Sequence, residues 1–248
     1  MNKLRYLCVI PARWASHSLP GKPLLQIGGK TMLEHVYRRA RATGLFFRII
    51  IAADDVRIYD AAERFRADVL MTREDHPDGS SRAAEIAARI NSDAVMMIQC
   101  DEPMFDPRMA HELADGLAAD RTADAAVMCA ELTREEDIDN PERVKVVRSQ
   151  NGHALYFSRS PIPYPRNERG KVWEMLGLCA FRKDVLSRLS GLCETPLMKT
   201  EGVGLLRLLE HGFKVAAITT KFPHEMPTVK TEADLEAVRR AFVRRKCE

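Results

Sequence analysis

YLCVIPARWASHSLPGKPLLQIGGKTML (Tyr6–Leu33) runs from an apolar strand-like segment, through a loop bearing Arg13, Gly21 and Lys22, into an amphipathic pattern. A strand that empties into a glycine- and cation-bearing loop ahead of a helix N-terminus is a common way to cradle phosphate. The loop lacks the G-x-x-x-x-G-K-[ST] spacing of a Walker loop. A Gly/Pro loop after a first strand is equally an ordinary connection, so the segment alone leaves both readings open. What it starts is an alternation of strand, loop and helix, and the chain continues it.

The segment TMLEHVYRRARATG reads as an amphipathic helix with Met32, Val36 and Ala40 on one face and Gly44 as its stop. FRIIIAA is the next strand, and DDVRIYDAAERF the next helix, capped by Asp54 or Asp55. ADVLMT and AVMMIQC are strands with the helix SSRAAEIAARI between them, and Pro107 opens a further helix over PRMAHELADGLAAD. Strands alternating with helices imply βαβ units and a largely parallel sheet covered on both faces. The second half changes character. ADAAVMCAEL, RVKVVRSQNGHALYFS and EMLGLCAF are strand-like, and Asn151-Gly152 marks a hairpin. PIPYPRNERGK is placed to act as a flap over a site. MKTEGVGLLRLLEHG is predicted as one helix ending at Gly212, FKVAAITT as a strand, and TEADLEAVRRAFVRR as a closing helix capped by Thr231. The expectation is one α/β domain over residues 1–248, with a mainly parallel sheet and an antiparallel excursion at about residues 140–190.

The net charge of +3 over 248 residues gives no basis for nucleic-acid binding, and the Arg-rich end of the chain reads as a solvated helix face. The 6 cysteines form no C-x-x-C pair and have no histidines at zinc spacing. Several fall in apolar runs, where Cys behaves as a small hydrophobe, so a reducing compartment is expected. The N-terminus has too short an apolar run for a signal peptide, and no stretch is apolar enough to span a membrane. A cytoplasmic protein is expected.

Ligands of open α/β sheets bind beyond the carboxyl ends of the strands. Arg13 and Lys22 follow the first strand, REDHPDGSSR follows ADVLMT, and DEPM follows AVMMIQC. Cations, a Gly-containing helix entry and an acidic strand end therefore converge on one edge. That set suits a nucleoside triphosphate with Mg²⁺, which needs few protein ligands because phosphates and water supply the rest.

IPARWASHSLPGKPL, MTREDHPDGSSR, IQCDEPM, NPERVKVV and ALYFSRSPIP resemble, in order and nearly end to end, the successive motifs of the CMP-Kdo synthetase family. The resemblance implies a Rossmann-like nucleotidyltransferase fold, Mg²⁺, and a homodimer whose contacts involve the antiparallel excursion. It also implies attack by an acceptor hydroxyl on the α-phosphorus of CTP with release of pyrophosphate. Carried over by residue, Arg13 and Lys22 would hold the triphosphate and act with Asp101 in catalysis. Asp101 would be the Mg²⁺ ligand. Ala12, Arg73, Gly79, Ser80 and Gln99 would complete the nucleotide site, with the loop Arg73–Arg82 selecting cytosine. Gln99, Arg159, Lys199, Glu201 and Lys230 would face the acceptor.

The departures from the family pattern gather on the acceptor side. Ser18 stands where arginine is usual, and Gly79-Ser80-Ser81-Arg82 replaces a G-T-[DE]-R element. Met175 and Lys199 stand where histidine is usual, Cys179 where tyrosine is, and Gly204 where glutamate is. Lys230 takes the place of an aspartate that helps hold the metal. Each change alone reads as drift or repacking. Together they predict a remodelled, more cationic pocket for a small acid such as a phosphonate (phosphonoformate). The alternatives are a CMP-Kdo or related sugar-acid synthetase, or a nucleotide-binding pseudoenzyme.

Overall fold

Alternation within the first strand already places two layers of helix. Along β1 (Tyr6–Ala12), Cys8, Ile10 and Ala12 pack into one buried cluster, while Leu7 and Val9 enter another on the opposite face. The structure is a computed structural model that describes residues 4–15, 19–168, 170–189, 191–222 and 228–247, with side chains described as far as residue 244. A two-residue ribbon, β2 (Gln26–Ile27) and β3 (Lys30–Thr31), follows the first loop. Then come β4 (Arg48–Ala53), β5 (Asp68–Met71), β6 (Ala94–Ile98), β7 (Ala125–Leu132), β8 (Lys145–Arg148), β9 (Ala154–Ser158), β10 (Val172–Arg182) and β11 (Val215–Thr219). The main sheet runs β11-β7-β10-β6-β1-β4-β5, with the hairpin β8–β9 attached to β10.

The parallel half is as expected: β6, β1, β4 and β5 pair in parallel through crossover helices. Helices α1 (Met32–Ala42) and α4 (Pro107–Ala119) cover one face through Leu33, Val36, Met109 and Leu113. Helix α2 (Val56–Arg64) joins them through Ile58, and α3 (Gly79–Arg89) covers the opposite face through Ala83 and Ile86. Thr31, Asp55, Asp78 and Asp106 cap α1 to α4, each accepting a bond from a backbone N–H of the first turn. Asp55 is thus the cap of α2, and Asp54 is released for another task described below.

In the second half, α5 (Glu135–Asp139) precedes β8, and the turn at Asn151-Gly152 (Gly152 φ 85°) joins β8 to β9 as the sequence predicts. The antiparallel excursion is as expected, and its strand β10 lies inside the sheet, antiparallel to both β6 and β7. One expectation is corrected. The segment after α6 (Lys183–Leu189) is two short helices, α7 (Pro196–Glu201) and α8 (Leu205–Glu210). Gly202 adopts φ 64° and ends the first of them, a left-handed turn that a continuous helix cannot contain. Helix α9 (Glu232–Cys247) closes the chain, and Thr231 Oγ1 accepts from the N–H of Asp234 as a cap. Among the described residues no helix is long and apolar enough to cross a membrane.

Candidate functional site

The strands β1 and β6 are parallel neighbours, so the segments leaving their carboxyl ends open onto the same edge. Arg13 leaves β1, and a one-turn 3-10 segment (Lys22–Leu24) brings Lys22 back over that edge. Gln99, Cys100 and Asp101 leave β6. These residues line a cleft of about 580 Å³, together with His76 to Ser80 at the start of α3, Arg159, and Gly202 to Leu205 between α7 and α8. Thr228 and Lys230 close it from the segment before α9. The size falls in the range of ordinary small-ligand sites.

The floor is an ion cluster. Lys22 Nζ donates to Asp101 Oδ2 at 3.1 Å and to the Val229 carbonyl at 3.1 Å. Lys230 Nζ donates to the same Asp101 oxygen at 3.0 Å. The Val229 N–H donates to the Asp101 carbonyl at 2.9 Å, so the late segment docks on the β6 end through its backbone. Burial alone would raise the Asp101 carboxyl, but Lys230 and then Lys22 outweigh it and hold it at about 2. Burial likewise opposes the charge of Lys230, and the Asp101 carboxylate overcomes that and raises its ammonium above the usual value.

Glu102, one residue on, points the other way, under β10. Its Oε1 accepts from the Gly177 N–H at 2.8 Å and from the Thr228 hydroxyl at 2.7 Å. Burial, with the neighbouring Asp101 charge, pushes its carboxyl up to about 7. The register of β10 shifts between Met175 and Cys179, and Gly177 lies in that bulge, its carbonyl accepting from Gln99 N–H at 2.8 Å. A Cβ on Gly177 would stand 2.7 Å from Glu102 and 3.0 Å from Gln99. Gly177→Ala should therefore cost about 1–3 kcal/mol by overpacking, read as a lower melting temperature. Because Gln99 must move, any activity seated in the cleft should fall as well, and a variant with unchanged melting and kinetics would show that the bulge is slack.

The first loop is held from behind. Asp54 Oδ1 accepts the Trp14 N–H at 2.9 Å, and its Oδ2 takes Arg82 at 3.1 Å. Arg82 is buried and also donates to Thr72 and to the Arg73 carbonyl. At Gly21 (φ 66°) a Cβ would come within 2.9 Å of the Trp14 ring, so glycine lets the loop close over the indole just before Lys22.

Of the residues expected from the sequence, Arg13, Lys22, Gly79, Ser80, Gln99, Asp101, Arg159 and Lys230 meet in the cleft. Four do not line it. Ala12 is fully buried in β1. Arg73 is exposed and pairs with Asp75, while its backbone N–H goes to Glu85. Lys199 is exposed and pairs with Glu194. Glu201 turns inward to accept from Ser158, Tyr156 and the Arg159 N–H, so it orients Arg159 from outside the cleft. The flap expected over the site instead lines a separate hollow of about 190 Å³ (Pro163 to Glu168, Gly170 and Val172). Ser18 lies outside the described residues. Asp78 was missed: it caps α3, bonds Ser80 and Arg207, and lines the cleft. Its signal was the Asp-Gly-Ser-Ser helix entry itself.

Among the described residues no three His, Cys, Asp or Glu side chains gather to hold a metal. The donor set is narrower. Asp101 Oδ2 is taken by two ammonium groups, whereas its buried Oδ1 has no hydrogen-bond partner among the described residues. One carboxylate oxygen left unpaired among the described residues fits a Mg²⁺ ion that draws its other ligands from phosphate and water.

Residues 7–218 match the sequence model of a family described as Cytidylyltransferase. The chain is 40% identical over 232 residues to 3-deoxy-manno-octulosonate cytidylyltransferase of Escherichia coli, covering 93% of each chain. It is 39% identical over 222 residues to the enzyme of that name from Syntrophotalea carbinolica, covering 86% of this chain and 89% of the relative. Among solved structures it superposes with a TM-score of 0.90 on a CMP:2-keto-3-deoxy-manno-octonic acid synthetase complexed with CTP. That pair is 38% identical, over 97% of this chain and 99% of the other.

Proposed function

Since the chain belongs to the cytidylyltransferase family, we propose that it transfers CMP from CTP to a 3-deoxy-octulosonic sugar acid. The observation that carries this reading is the convergence of Arg13, Lys22 and Lys230 with Gln99 and Arg159 in one cleft. The cations suit a triphosphate, and a neutral amide beside a guanidinium suits a hydroxylated carboxylic acid. The relatives' names support the sugar acid over the small phosphonate that the altered residues suggested.

In the proposed reaction an acceptor hydroxyl oxygen bonds to the α-phosphorus. The bond from that phosphorus to the oxygen bridging it to the β-phosphorus breaks, and pyrophosphate leaves with the electron pair. The hydroxyl proton passes to water. Lys22 and Arg13 neutralise the charge that grows on the leaving phosphates, fixed in place before reaction by the Asp101 and Trp14–Asp54–Arg82 contacts. Asp101 would hold Mg²⁺, which when bound would add Lewis-acid stabilisation to the same phosphate oxygens. The turn from His76 to Ser80 is proposed to read the base, tied down by Asp78 and by the close approach of Gly79 to Pro11 and Gln99. A wrong base leaves hydrogen bonds unmade, each costing about 1–3 kcal/mol.

A second reading keeps the same chemistry with a small phosphonate acceptor. It is favoured by Met175, Cys179 and Gly204, which line the cleft and give it few groups for sugar hydroxyls. Pyrophosphate release decides between them, measured with CTP or ATP and with a 3-deoxy-octulosonic acid or phosphonoformate as acceptor. CTP with the sugar acid should turn over fastest. Turnover with phosphonoformate alone supports the second reading, and equal use of ATP would sink the base assignment.

A further inference from the structure

The floor of the cleft carries more positive charge than its one acid can balance. Two ammonium groups, Lys22 and Lys230, lie within 3.1 Å of a single oxygen of Asp101. Glu102, next to Asp101, has its charge within reach of Lys230, but its carboxylate is engaged by Gly177 and Thr228 rather than by either ammonium. A carboxylate collecting two cations leaves one unit of positive charge over, and the cleft lining as a whole keeps that surplus, with Arg13, Lys22, Arg82, Arg159 and Lys230 set against Asp78, Asp101, Glu142 and Glu174. Such a surplus is costly unless an anion completes it.

Lys230 is also held in place. Its backbone N–H donates to Asp234 Oδ2 at 3.0 Å, in the turn that starts α9. The residue before it is bonded through both its N–H and its carbonyl, to Asp101 and Lys22. Its side chain keeps 35% of its surface exposed, against 13% for Lys22, and it lines the cleft. The side chain is thus anchored at its base, paired with Asp101 at its tip and partly exposed to the cleft.

Resting on the cytidylyltransferase reading, we propose that Lys230 is a built-in cation for the triphosphate, so that this chain binds CTP without needing a divalent ion. A lysine offers donors and no lone pair, so it cannot share the work of coordinating a metal. What it supplies is a fixed charge at the place where an ion would otherwise neutralise phosphate oxygens. Nucleotide capture is thereby separated from metal supply, whatever Mg²⁺ adds to the chemical step.

The test is calorimetric titration of the protein with CTP, without acceptor, in EDTA and in saturating Mg²⁺. The wild-type Kd should differ by no more than about threefold between the two, far less than the tenfold that one charge-assisted bond is worth. Lys230→Asp should weaken binding in EDTA by about 10- to 100-fold, with Mg²⁺ recovering most of the loss. Lys230→Arg should stay near wild type in both. The wild type alone decides the matter should a variant fail to fold. Binding of CTP only in Mg²⁺ overturns the proposal and leaves the cytidylyltransferase reading standing. No CTP binding in either condition overturns that reading and the proposal with it. Equal Kd values for Lys230→Asp and wild type in EDTA would show that the lysine carries no phosphate.

Discussion

Lys22→Ala is expected to lower kcat/KM for cytidylyl transfer by about 10²–10³-fold, the size of effect seen when one preorganised electrostatic group is removed. The loss should appear mainly in kcat, because the charge on the departing pyrophosphate is greatest in the transition state. The fold should survive, since Asp101 keeps Lys230 at 3.0 Å as its partner. Steady-state pyrophosphate release, with a melting curve on the same sample, separates the two effects. Near-normal turnover would make Lys22 a partner of Asp101 and nothing more.

Asp101→Asn should act on stability before it acts on rate. The substitution strips the counter-charge from two ammonium groups while keeping the side chain's shape. Breaking a buried ion pair from one side costs roughly 3–5 kcal/mol, and the partial exposure of Lys230 points to the lower end, about 3 kcal/mol. In a chain of this size that is a melting temperature lower by roughly 6–12 °C. CTP should restore part of it, because its phosphates replace the missing carboxylate, so the nucleotide's stabilising effect should be larger in the variant than in the wild type. Differential scanning with and without CTP reads both quantities. An unchanged melting temperature would mean that solvent already screens the two lysines.

The elements that sequence reasoning located were those decided locally. Apolar runs such as Val95–Ile98 have little choice but to be buried, and a Thr or Asp ahead of an amphipathic stretch marks its own helix start. Gly202 was visible too, but the apolar spacing on either side of it is continuous, so one helix was expected where a left-handed turn makes two. The position of β10 between β6 and β7 is a matter of strand order, which no local pattern encodes. The site divides in the same way. Arg13, Lys22, Gln99 and Asp101 follow strand ends, so topology delivers them to one edge. Lys199 and Glu201 sit on a short helix whose rotation keeps both side chains out of the cleft. Rotation sends one outward to Glu194 and the other inward to Ser158. Glu102 follows Asp101 directly, yet it bonds Gly177 and Thr228 while Asp101 takes the two lysines.

The placement of β10 has a consequence for how the polypeptide is made. During synthesis β6 and β7 emerge well before the strand that must be inserted between them, antiparallel to both. Until residues 172–182 leave the ribosome, β6 carries an open hydrogen-bonding edge made of AVMMI, and β7 carries one made of AAVMCAEL. Such long-range closure slows folding and leaves aggregation-prone edges uncovered meanwhile. A nascent chain released after β7 would hold every loop of the Lys22–Asp101–Lys230 cluster except the last, and still lack the strand that joins its two halves.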